Sequence, residues 1–477
     1  MARTYYDRLS FQDNTFLAFE TSSAHLHVSG IATFKSGGLR NADGGIDIDR
    51  VRDYVASRLH LIPRYRQIIR YIPFEQHPVW VDDRHFNLEY HVRHTCLPKP
   101  GDESQLKGMA ARIMAQKLDR SKPLWEMWVV EGLDGGDRFS LITKVHHCMI
   151  DGMSGVELMR VLLSPDPDEP LSPVVAWQPR RQPSDLDLVR DAALRWVGGP
   201  MWLARNAGEV VRAALDDESE LRTRLRAVGE AVGSGAGGVA DTPLSGQIGP
   251  HRRFEWTTMS VAEMRRIKKQ LGGSLNDLVL TIVSGALVRY FARHQVTLDG
   301  QDFVVAAPVS VRSEEEHGSL GNRVSTWLIP LPLEEPDPLL RIRQIGTVTA
   351  DLKRKHSALG AETIMSLGEW TPSTFLSLGA RVIPRMLPMN MIVTNVPGPQ
   401  LPLYMLGARL CENYGQVPLM EGTGLGIALF SYDGLLCWGF NADWDRVPDL
   451  SDFVNDIKDA FEELVALAPV AADAESA

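Results

Sequence analysis

The clearest alternation of apolar and polar positions lies between residues 126 and 163. Two apolar runs, 126–133 (EMWVVEGL) and 138–145 (RFSLITKV), flank the turn-forming residues 134–137 (DGGD). Residues 154–163 follow with capping-box spacing and then apolar positions at helical spacing. The pattern predicts an antiparallel hairpin, a tight turn and a helix, in that order.

The second half of the chain shows similar patterns. Ser260 and Ser274 each stand before a helical run with an acidic residue three positions later. Two apolar runs, 427–432 and 435–441, meet across Asp433-Gly434 and predict another hairpin. A closing helix is expected from Ser451, with apolar residues on one side. Strands and helices are therefore mixed along the whole chain, which indicates an α/β fold.

The chain length and the positions of linker-like residues divide the chain into domains. A length of 477 residues suits two domains of roughly 200 residues each. Residues 164–170 (SPDPDEP) end the first mixed region, and 233–238 (GSGAGG) has the composition of a flexible linker after an arginine-rich helical stretch, 184–232. We predict an N-terminal domain over 1–170, a helical connector and linker over 171–250, and a C-terminal domain over 251–477.

Composition narrows the function classes. The net charge of −10 argues against nucleic acid as a partner. It also argues against electrostatic binding of the whole protein to anionic lipid. The four cysteines have no CxxC spacing and suggest a reducing compartment. The N-terminus lacks the apolar core of a signal peptide, and the longest apolar stretch, 278–288, is too short to span a bilayer. A cytoplasmic protein is expected.

The strongest chemical signal is the pair His146-His147 at the end of the predicted hairpin, followed by Asp151-Gly152. Imidazole can accept and return a proton near neutral pH. Neighbouring side chains of a strand point to opposite faces, so the two histidines cannot share one role.

Three interpretations of the pair compete. They can be structural histidines at a strand end. They can belong to a metal site, since His147 and Asp151 are four positions apart, but a metal needs three or four ligands. His25 and His27 form a His-x-His segment that nothing in the sequence connects to His147. The third interpretation is a general base for acyl transfer.

The segment His146-His147-Cys-Met-Ile-Asp151-Gly152 resembles the HHxxxDG motif of the CoA-dependent acyltransferase superfamily. Further segments, in family order, are similar to the bacterial wax ester synthase/diacylglycerol acyltransferase family. They are Leu9-Ser10 with Asp13 and Phe16-Leu17, Pro123-Leu124-Trp125, Pro243-Leu244 with Ile248-Gly249-Pro250 and Arg252-Arg253, Asn276 to Leu280, Pro308 to Arg312 with Gly321-Asn322, and Asn395 to Pro399. Phe11-Gln12 departs from the family, where Pro is expected before the early Asp.

The resemblance implies a fold and a reaction. The fold would be two chloramphenicol acetyltransferase-like domains, mixed sheets flanked by helices, with the active site at their interface. The reaction would move a fatty acyl group from acyl-CoA to diacylglycerol, with a long-chain alcohol as an overlapping acceptor. Acyl-CoA is a co-substrate, and neither a metal nor a cofactor is expected. Other hydroxyl or amine acceptors, or a lipid-surface protein without turnover, are the alternatives.

The resemblance also assigns residues. His147 would be the general base, with His146 packed behind it. Asp151 would hold the loop by pairing with an arginine, for which Arg312 is the candidate, and Gly152 would permit a close backbone turn at the substrate.

Asn276 and Thr394 are the candidate side-chain donors for the oxyanion. Each has a plain alternative, because Asn276 can serve only as a helix cap and Thr394 only as a strand residue.

Lipid contact is expected to be peripheral, at the inner membrane or at lipid droplets. Residues 375–391 combine apolar side chains with Arg381 and Arg385, which is typical of an amphipathic surface segment. Pro384 and Pro388 equally suit an interrupted core helix. Arginines of the connector could meet CoA phosphates or lipid head groups, although a solvated helical face explains most of them. They are Arg180, Arg181, Arg190, Arg195, Arg205, Arg212, Arg222, Arg224 and Arg226.

Overall fold

The fold was determined as a computed structural model that describes residues 5–149, 155–195, 239–298, 300–310, 324–358 and 389–468. Its strands in chain order are β1 (Asp7–Arg8), β2 (His27–Lys35), β3 (Gln67–Tyr71), β4 (Pro78–Asp82), β5 (Val92–Cys96), β6 (Trp125–Leu133), β7 (Arg138–His146), β8 (Ser245–Gly246), β9 (Arg252–Ser260), β10 (Phe303–Ser310), β11 (Val324–Leu331), β12 (Met391–Pro397), β13 (Tyr404–Met405), β14 (Ala408–Gln416), β15 (Gly422–Thr423), β16 (Leu425–Tyr432) and β17 (Leu435–Asp443).

The helices surround these strands. They are α1 (Phe11–Phe19), α2 (Ile48–Arg58), α3 (Leu88–His91), α4 (Glu103–Ala115), α5 (Gly155–Leu162), α6 (185–195), α7 (Val261–Leu271), α8 (Leu275–Arg293), α9 (Pro338–Ala358) and α10 (Leu450–Leu467). Mixed sheets flanked by helices confirm the predicted α/β class.

The first large sheet, the N-terminal sheet, has the strand order β13-β14-β2-β7-β6-β5. The predicted hairpin is present, since β6 and β7 pair antiparallel across a short turn at Asp134–Gly136. β2 pairs with β7 so that His27 lies opposite His146. The pair of histidines therefore stands at one end of the central strand of this sheet.

The second large sheet, the C-terminal sheet, has the order β11-β10-β12-β16-β17-β9. Its two inner pairings, β10 with β12 and β12 with β16, are parallel, and the others are antiparallel. One face of this sheet packs on α8 and α10 in the largest hydrophobic core. The predicted hairpin across Asp433-Gly434 is confirmed, with both turn residues at positive φ, as a two-residue hairpin turn requires.

Strand β14 joins the two halves. It lies late in the chain, yet it pairs with β2 in the N-terminal sheet. Its Gly415 also meets the C-terminal sheet, because a Cβ on Gly439 would lie 1.9 Å from the Gly415 carbonyl oxygen. The predicted C-terminal segment, 251–477, therefore supplies strands to both sheets.

Helix α8 is the central helix of the C-terminal half. It begins with a capping box in which Ser274 and Asp277 bind each other's backbone N–H groups, as the Ser-x-x-Asp spacing predicts. The helix extends beyond the predicted apolar stretch 278–288, so that by length and composition alone it could cross a bilayer. Most of its side chains are buried by the sheet and by neighbouring helices, as in the core helix of a globular domain.

Candidate active site

The two histidines lie where β7 turns into a short 3₁₀ helix at His147–Met149. The turn is held by its backbone. The N–H of His146 donates to the Leu124 carbonyl, and the N–H of His147 donates to the Leu26 carbonyl, each at 2.9 Å. Leu124 belongs to the buried Pro-Leu-Trp segment, which therefore anchors the turn.

His146 is almost completely buried, with 1% of its surface exposed. Its Nδ1 accepts a hydrogen bond from the backbone N–H of Cys148 at 3.2 Å, so the neutral ring carries its proton on Nε2. Burial, with smaller effects of nearby positive charges, lowers the pKa of His146 to about 3. This side chain fixes the turn from behind.

His147 has a different environment, as strand alternation predicts. It is half-buried, and its ring stacks on Phe16 of α1 with 3.9 Å between ring centroids. Burial lowers the pKa of His147 to about 4, and the residue's own backbone carbonyl opposes that shift. The imidazole is therefore neutral at pH 7 and can accept a proton.

An ion cluster around the buried carboxylate of Glu20 stands behind His146, and the sequence analysis missed it. The Glu20 carboxylate, 1% exposed, pairs with Arg120 and lies 3.5 Å from the Lys117 ammonium. One of its oxygens is 3.9 Å from Nε2 of His146. Glu20 is the C-cap of α1, the helix that carries Phe16. The ion cluster therefore connects α1 to the segment before Pro123. Charged residues this far apart in sequence give no local signal.

The two proposed oxyanion donors occupy different sides of the C-terminal sheet. Asn276 is exposed in the first turn of α8, where Ser274 and not Asn276 is the cap, and its Oδ1 accepts from Asn395 Nδ2 at 2.8 Å. Thr394 pairs with Ala428 on β16. A Cβ on Gly415 would lie 3.1 Å from the Ala428 Cβ, so this face looks toward the N-terminal sheet. Thr394 thus faces the half that carries the histidines.

Other predicted site residues, Asp151, Gly152 and Arg312, lie outside the described residues. So does segment 375–391 up to residue 388, whereas its last three residues, Met389, Asn390 and Met391, are buried. Of the connector arginines, Arg180 binds the Asp82 carboxylate at 2.9 Å and Arg190 lies 3.6 Å from Asp191. Arg205 and the connector arginines after it lie outside the described residues.

Metal ligation was the competing interpretation of the histidines. His27 lies close to two other histidines, with ring centroids 5.6 Å from His25 and 5.8 Å from His146. In the ranges that the structure describes, His, Cys, Asp and Glu side chains do not form a group of three that could hold a metal ion. The metal-free reaction stays a prediction.

Two family models match most of the chain. The wax ester synthase/diacylglycerol acyltransferase catalytic domain matches residues 9–279. The C-terminal domain of the same family matches residues 320–465. The first match contains the pair His146-His147, and the second contains Thr394 and the strand that crosses between the sheets.

Similar proteins agree with these matches. A protein of Mycobacterium tuberculosis named as a diacylglycerol O-acyltransferase is 31% identical over 96% of this chain and 90% of its own length. Another from the same species, diacylglycerol O-acyltransferase tgs2, is 30% identical over 96% of this chain and 98% of its own.

Solved structures share the fold. The wax ester synthase/diacylglycerol acyltransferase from Marinobacter aquaeolei VT8 aligns with a TM-score of 0.69 at 22% identity, over 97% of this chain and all of that one. The starter condensation domain of rhizomide synthetase, in complex with C8-CoA and Leu-SNAC, aligns with a TM-score of 0.57 at 11% identity, over 97% and 94% of the two chains. The two-domain architecture expected from the HHxxxDG segment is therefore shown.

Proposed function

Because the chain belongs to the wax ester synthase/diacylglycerol acyltransferase family, we propose that it transfers a fatty acyl group from acyl-CoA to the hydroxyl of diacylglycerol. A long-chain alcohol would be an overlapping acceptor and would give a wax ester. The protein is an O-acyltransferase, as its relatives' names indicate. The acceptor and the residue that acts as base are the parts that we add.

His147 is the proposed general base. Its neutral imidazole takes the proton of the acceptor hydroxyl while the oxygen attacks the thioester carbonyl carbon. The tetrahedral intermediate then collapses, the C–S bond breaks, and the imidazolium returns the proton to the departing CoA sulfur. The products are the ester and free CoA, and the histidine regains its starting state. The thioester is already activated, so this route needs neither a metal nor a covalent enzyme intermediate.

The observation that carries this assignment is the difference between the two adjacent histidines. His146 is enclosed, and its Nδ1 is occupied by the Cys148 N–H. His147 keeps part of its surface open, and its backbone and ring are held by Leu26 and Phe16. A base must reach its substrate and must be held in one orientation, and His147 meets both requirements.

Thr394 is the proposed oxyanion donor among the described residues. Its side faces the N-terminal sheet, and its hydroxyl can donate one hydrogen bond. Asn276 is engaged by Asn395 on the helix-bearing side, which makes it the weaker candidate. Asp151 paired with Arg312, and Gly152 at the turn, complete the proposal from the family motif.

Acyl-CoA as the donor is supported by the complex of a condensation domain of this fold with C8-CoA. We further propose that the enzyme works in the cytoplasm, in peripheral contact with the inner membrane or lipid droplets, where an apolar acceptor would be found. No cofactor is required by the proposed reaction.

The test is thiol release from palmitoyl-CoA with diacylglycerol or hexadecanol as acceptor. His147→Ala should lower acceptor-dependent release by at least about 10²-fold, the usual minimum contribution of a general base. His60→Ala, which removes an exposed histidine, should leave the rate unchanged. The better acceptor names the main product.

Other results would redirect the assignment. A folded His147→Ala protein with wild-type activity would remove His147 from the mechanism. Wild-type release only with another hydroxyl or amine would favour the condensation-like acceptor class. Binding of lipid without turnover on any acceptor would favour a non-catalytic lipid-surface protein.

A further inference from the structure

The side chains of Glu20 and Arg120 form an ion pair behind the two histidines, and neither takes part in the proposed proton transfer. Nε of Arg120 donates to Oε2 of Glu20 at 2.8 Å, and Nη2 of the same guanidinium donates to that oxygen as well. The Glu20 side chain is 1% exposed, and that of Arg120 is 35% exposed. Because a buried carboxylate is costly unless it is paired, these charge-assisted hydrogen bonds make a firm connection between two segments distant in sequence.

The ion pair also closes the C-terminal end of α1. The sequence of this helix, FQDNTFLAF, contains no basic residue, and the helix ends at Glu20 in extended backbone without a capping glycine. The last carbonyls of a helix need donors from elsewhere. Nη2 of Arg120 donates to the Leu17 carbonyl at 3.0 Å, and its positive charge suits the negative end of the helix dipole. Arg120 therefore holds both the backbone and the terminal side chain at the end of α1.

Along the chain, Glu20 lies between the two groups that hold His147. Phe16, one helical turn before Glu20, stacks on the imidazole with 3.9 Å between ring centroids. The carbonyl of Leu26, which follows Glu20 after a short loop, accepts a hydrogen bond from the His147 N–H at 2.9 Å. A displacement of Glu20 would therefore move the support of the ring and the acceptor of the backbone together.

Arg120 has the corresponding place beside His146. The carbonyl of Leu124, on the same short segment as Arg120, accepts a hydrogen bond from the His146 N–H at 2.9 Å. The chain around Arg120 is folded into a turn, in which the Lys122 N–H donates to the Asp119 carbonyl at 3.0 Å. The position of the Arg120 guanidinium is therefore coupled to that of the Leu124 carbonyl through a short and ordered stretch of backbone.

We propose that Glu20 and Arg120 are positioning residues for acyl transfer, because their ion pair connects the two segments that hold His146 and His147. This inference rests on the proposed function, in which His147 is the base. A general base must be held close to its productive orientation, and His147 owes its orientation to neighbours that the ion pair keeps in register. The ion pair acts through those neighbours and does not touch the reacting atoms.

The first test is Glu20→Gln, which keeps the shape of the side chain and removes the charge that binds Arg120. The kcat with palmitoyl-CoA and diacylglycerol should fall about 10-fold, since a displacement of roughly 1 Å in a catalytic group can cost up to about 10²-fold. KM for each substrate should change less than about twofold, because the ion pair lies behind the histidines and contributes to the orientation of the base. An unchanged kcat in the folded variant would overturn the proposal.

Asp456→Asn is the matched control. Asp456 accepts two hydrogen bonds from Arg293 between helices of the C-terminal half, and the two side chains are 10% and 36% exposed, close to the values for Glu20 and Arg120. Both substitutions should lower the thermal midpoint, because each weakens a partly buried ion pair. Only Glu20→Gln should lower kcat when both variants are assayed well below their midpoints. An equal loss of kcat in the two variants would indicate general destabilisation and would refute the positioning role.

A double variant shows whether the two residues act as one unit. Arg120→Met should lower kcat about as much as Glu20→Gln does, and the double variant should lose at most about twofold more than either single variant. Losses that multiply would contradict the ion pair as the unit of positioning. If Glu20→Gln does not fold, Arg120→Lys takes its place, since it keeps the charge and loses the planar fork of donors, and the same fall in kcat is expected.

A measurement without turnover separates this inference from the proposed function. The His147 ring lies against the Phe16 ring, so in NMR spectra of protein with ¹³C-labelled histidine its proton resonances carry a ring-current shift. His147→Ala identifies these resonances. In Glu20→Gln they should move toward the positions of an unstacked imidazole, and in Asp456→Asn they should stay.

The two failures are then distinct. Unchanged His147 resonances in Glu20→Gln would refute the positioning role, whether or not the wild type turns over its substrates. A wild type without turnover, together with the expected shift of the resonances in Glu20→Gln, would defeat the proposed function alone.

Discussion

At the scale of single residues, the catalytic proposal depends on the different environments of two neighbouring imidazoles at one end of the N-terminal sheet. Both are neutral at pH 7 because burial lowers their pKa. Only His147 has an open surface, and Phe16 supports its ring. The unperturbed imidazole pKa of about 6.5 would leave part of the base protonated in mildly acidic conditions. The lowered pKa of His147 keeps the base neutral under these conditions.

A pH profile should report this shift. His147 accepts the hydroxyl proton only when neutral, so activity should be level from pH 7 down to about 5 and fall as the pH drops through about 4, the lowered pKa. The measurement is kcat/KM for lauroyl-CoA against pH. A fall centred near 6.5 would contradict the described environment. Return to pH 7 after each acid incubation, with full recovery, separates titration from unfolding.

Much of this site was readable from the sequence, and the reasons for the rest are physical. Strand alternation alone predicted that His146 and His147 have separate roles. The connection of His27 to His146 was not predicted, because it depends on which strand lies beside β7. Glu20 was missed for the same reason, since it meets the histidine end only through tertiary contacts.

At the scale of secondary-structure elements, the two sheets approach each other through glycine. Gly415 on β14 and Gly439 on β17 leave no room for a side chain between their backbones. Both contacting atoms belong to backbones that are paired within their own sheets, so neither can move away easily. This contact sets how closely the sheet with the histidines lies to the sheet with Thr394.

Gly439→Ala should therefore destabilise the protein and reduce its activity. The added Cβ would lie 1.9 Å from the Gly415 carbonyl oxygen, and relief requires a shift of one sheet. We expect a loss of about 3 kcal/mol in the free energy of unfolding, at the upper end for overpacking. Urea unfolding measures it. Gly108→Ala, in α4 with nothing within 4 Å of the new Cβ, should instead keep or slightly increase stability. Equal stability of the two variants would contradict the close contact.

Local elements were predicted well from their patterns. The β6–β7 hairpin, the β16–β17 hairpin and the capped starts of α7 and α8 follow short-range rules of turn and cap chemistry, and all are present. The pairing of β14 with β2 was not predicted, because neither strand carries a local signal for a distant partner. Asn276 illustrates the same limit: its helix was predicted, but not its bond to Asn395.

At the scale of the whole molecule, the two halves are not independent units. β14 pairs with β2 in the N-terminal sheet. Tyr414 of β14 also stacks on Trp256 of β9 in the C-terminal sheet, with 4.9 Å between ring centroids. The histidine end of the N-terminal sheet is thus completed by residues from the C-terminal segment. The N-terminal sheet, which carries the proposed base, therefore contains strands from both segments of the chain.

A fragment of residues 1–250 should not fold on its own. Without β14, the long strand β2 would become an exposed edge, which promotes aggregation. We expect the fragment to bind a hydrophobic dye strongly and to elute as aggregates in size-exclusion chromatography, whereas the full chain elutes as a defined species. A monomeric fragment with a cooperative thermal transition would show that β14 is dispensable for the N-terminal sheet. The full chain expressed in the same way is the control.

The position of β14 also has a consequence for biosynthesis. Ile31 pairs with Tyr414, which the ribosome adds about 380 residues later. At a translation rate of about 5–20 residues per second, β2 waits roughly 20 to 80 s for its neighbour. During that interval an apolar strand edge is open to other nascent chains. Chaperone supply and translation speed should therefore influence the yield of this protein more than its final stability does.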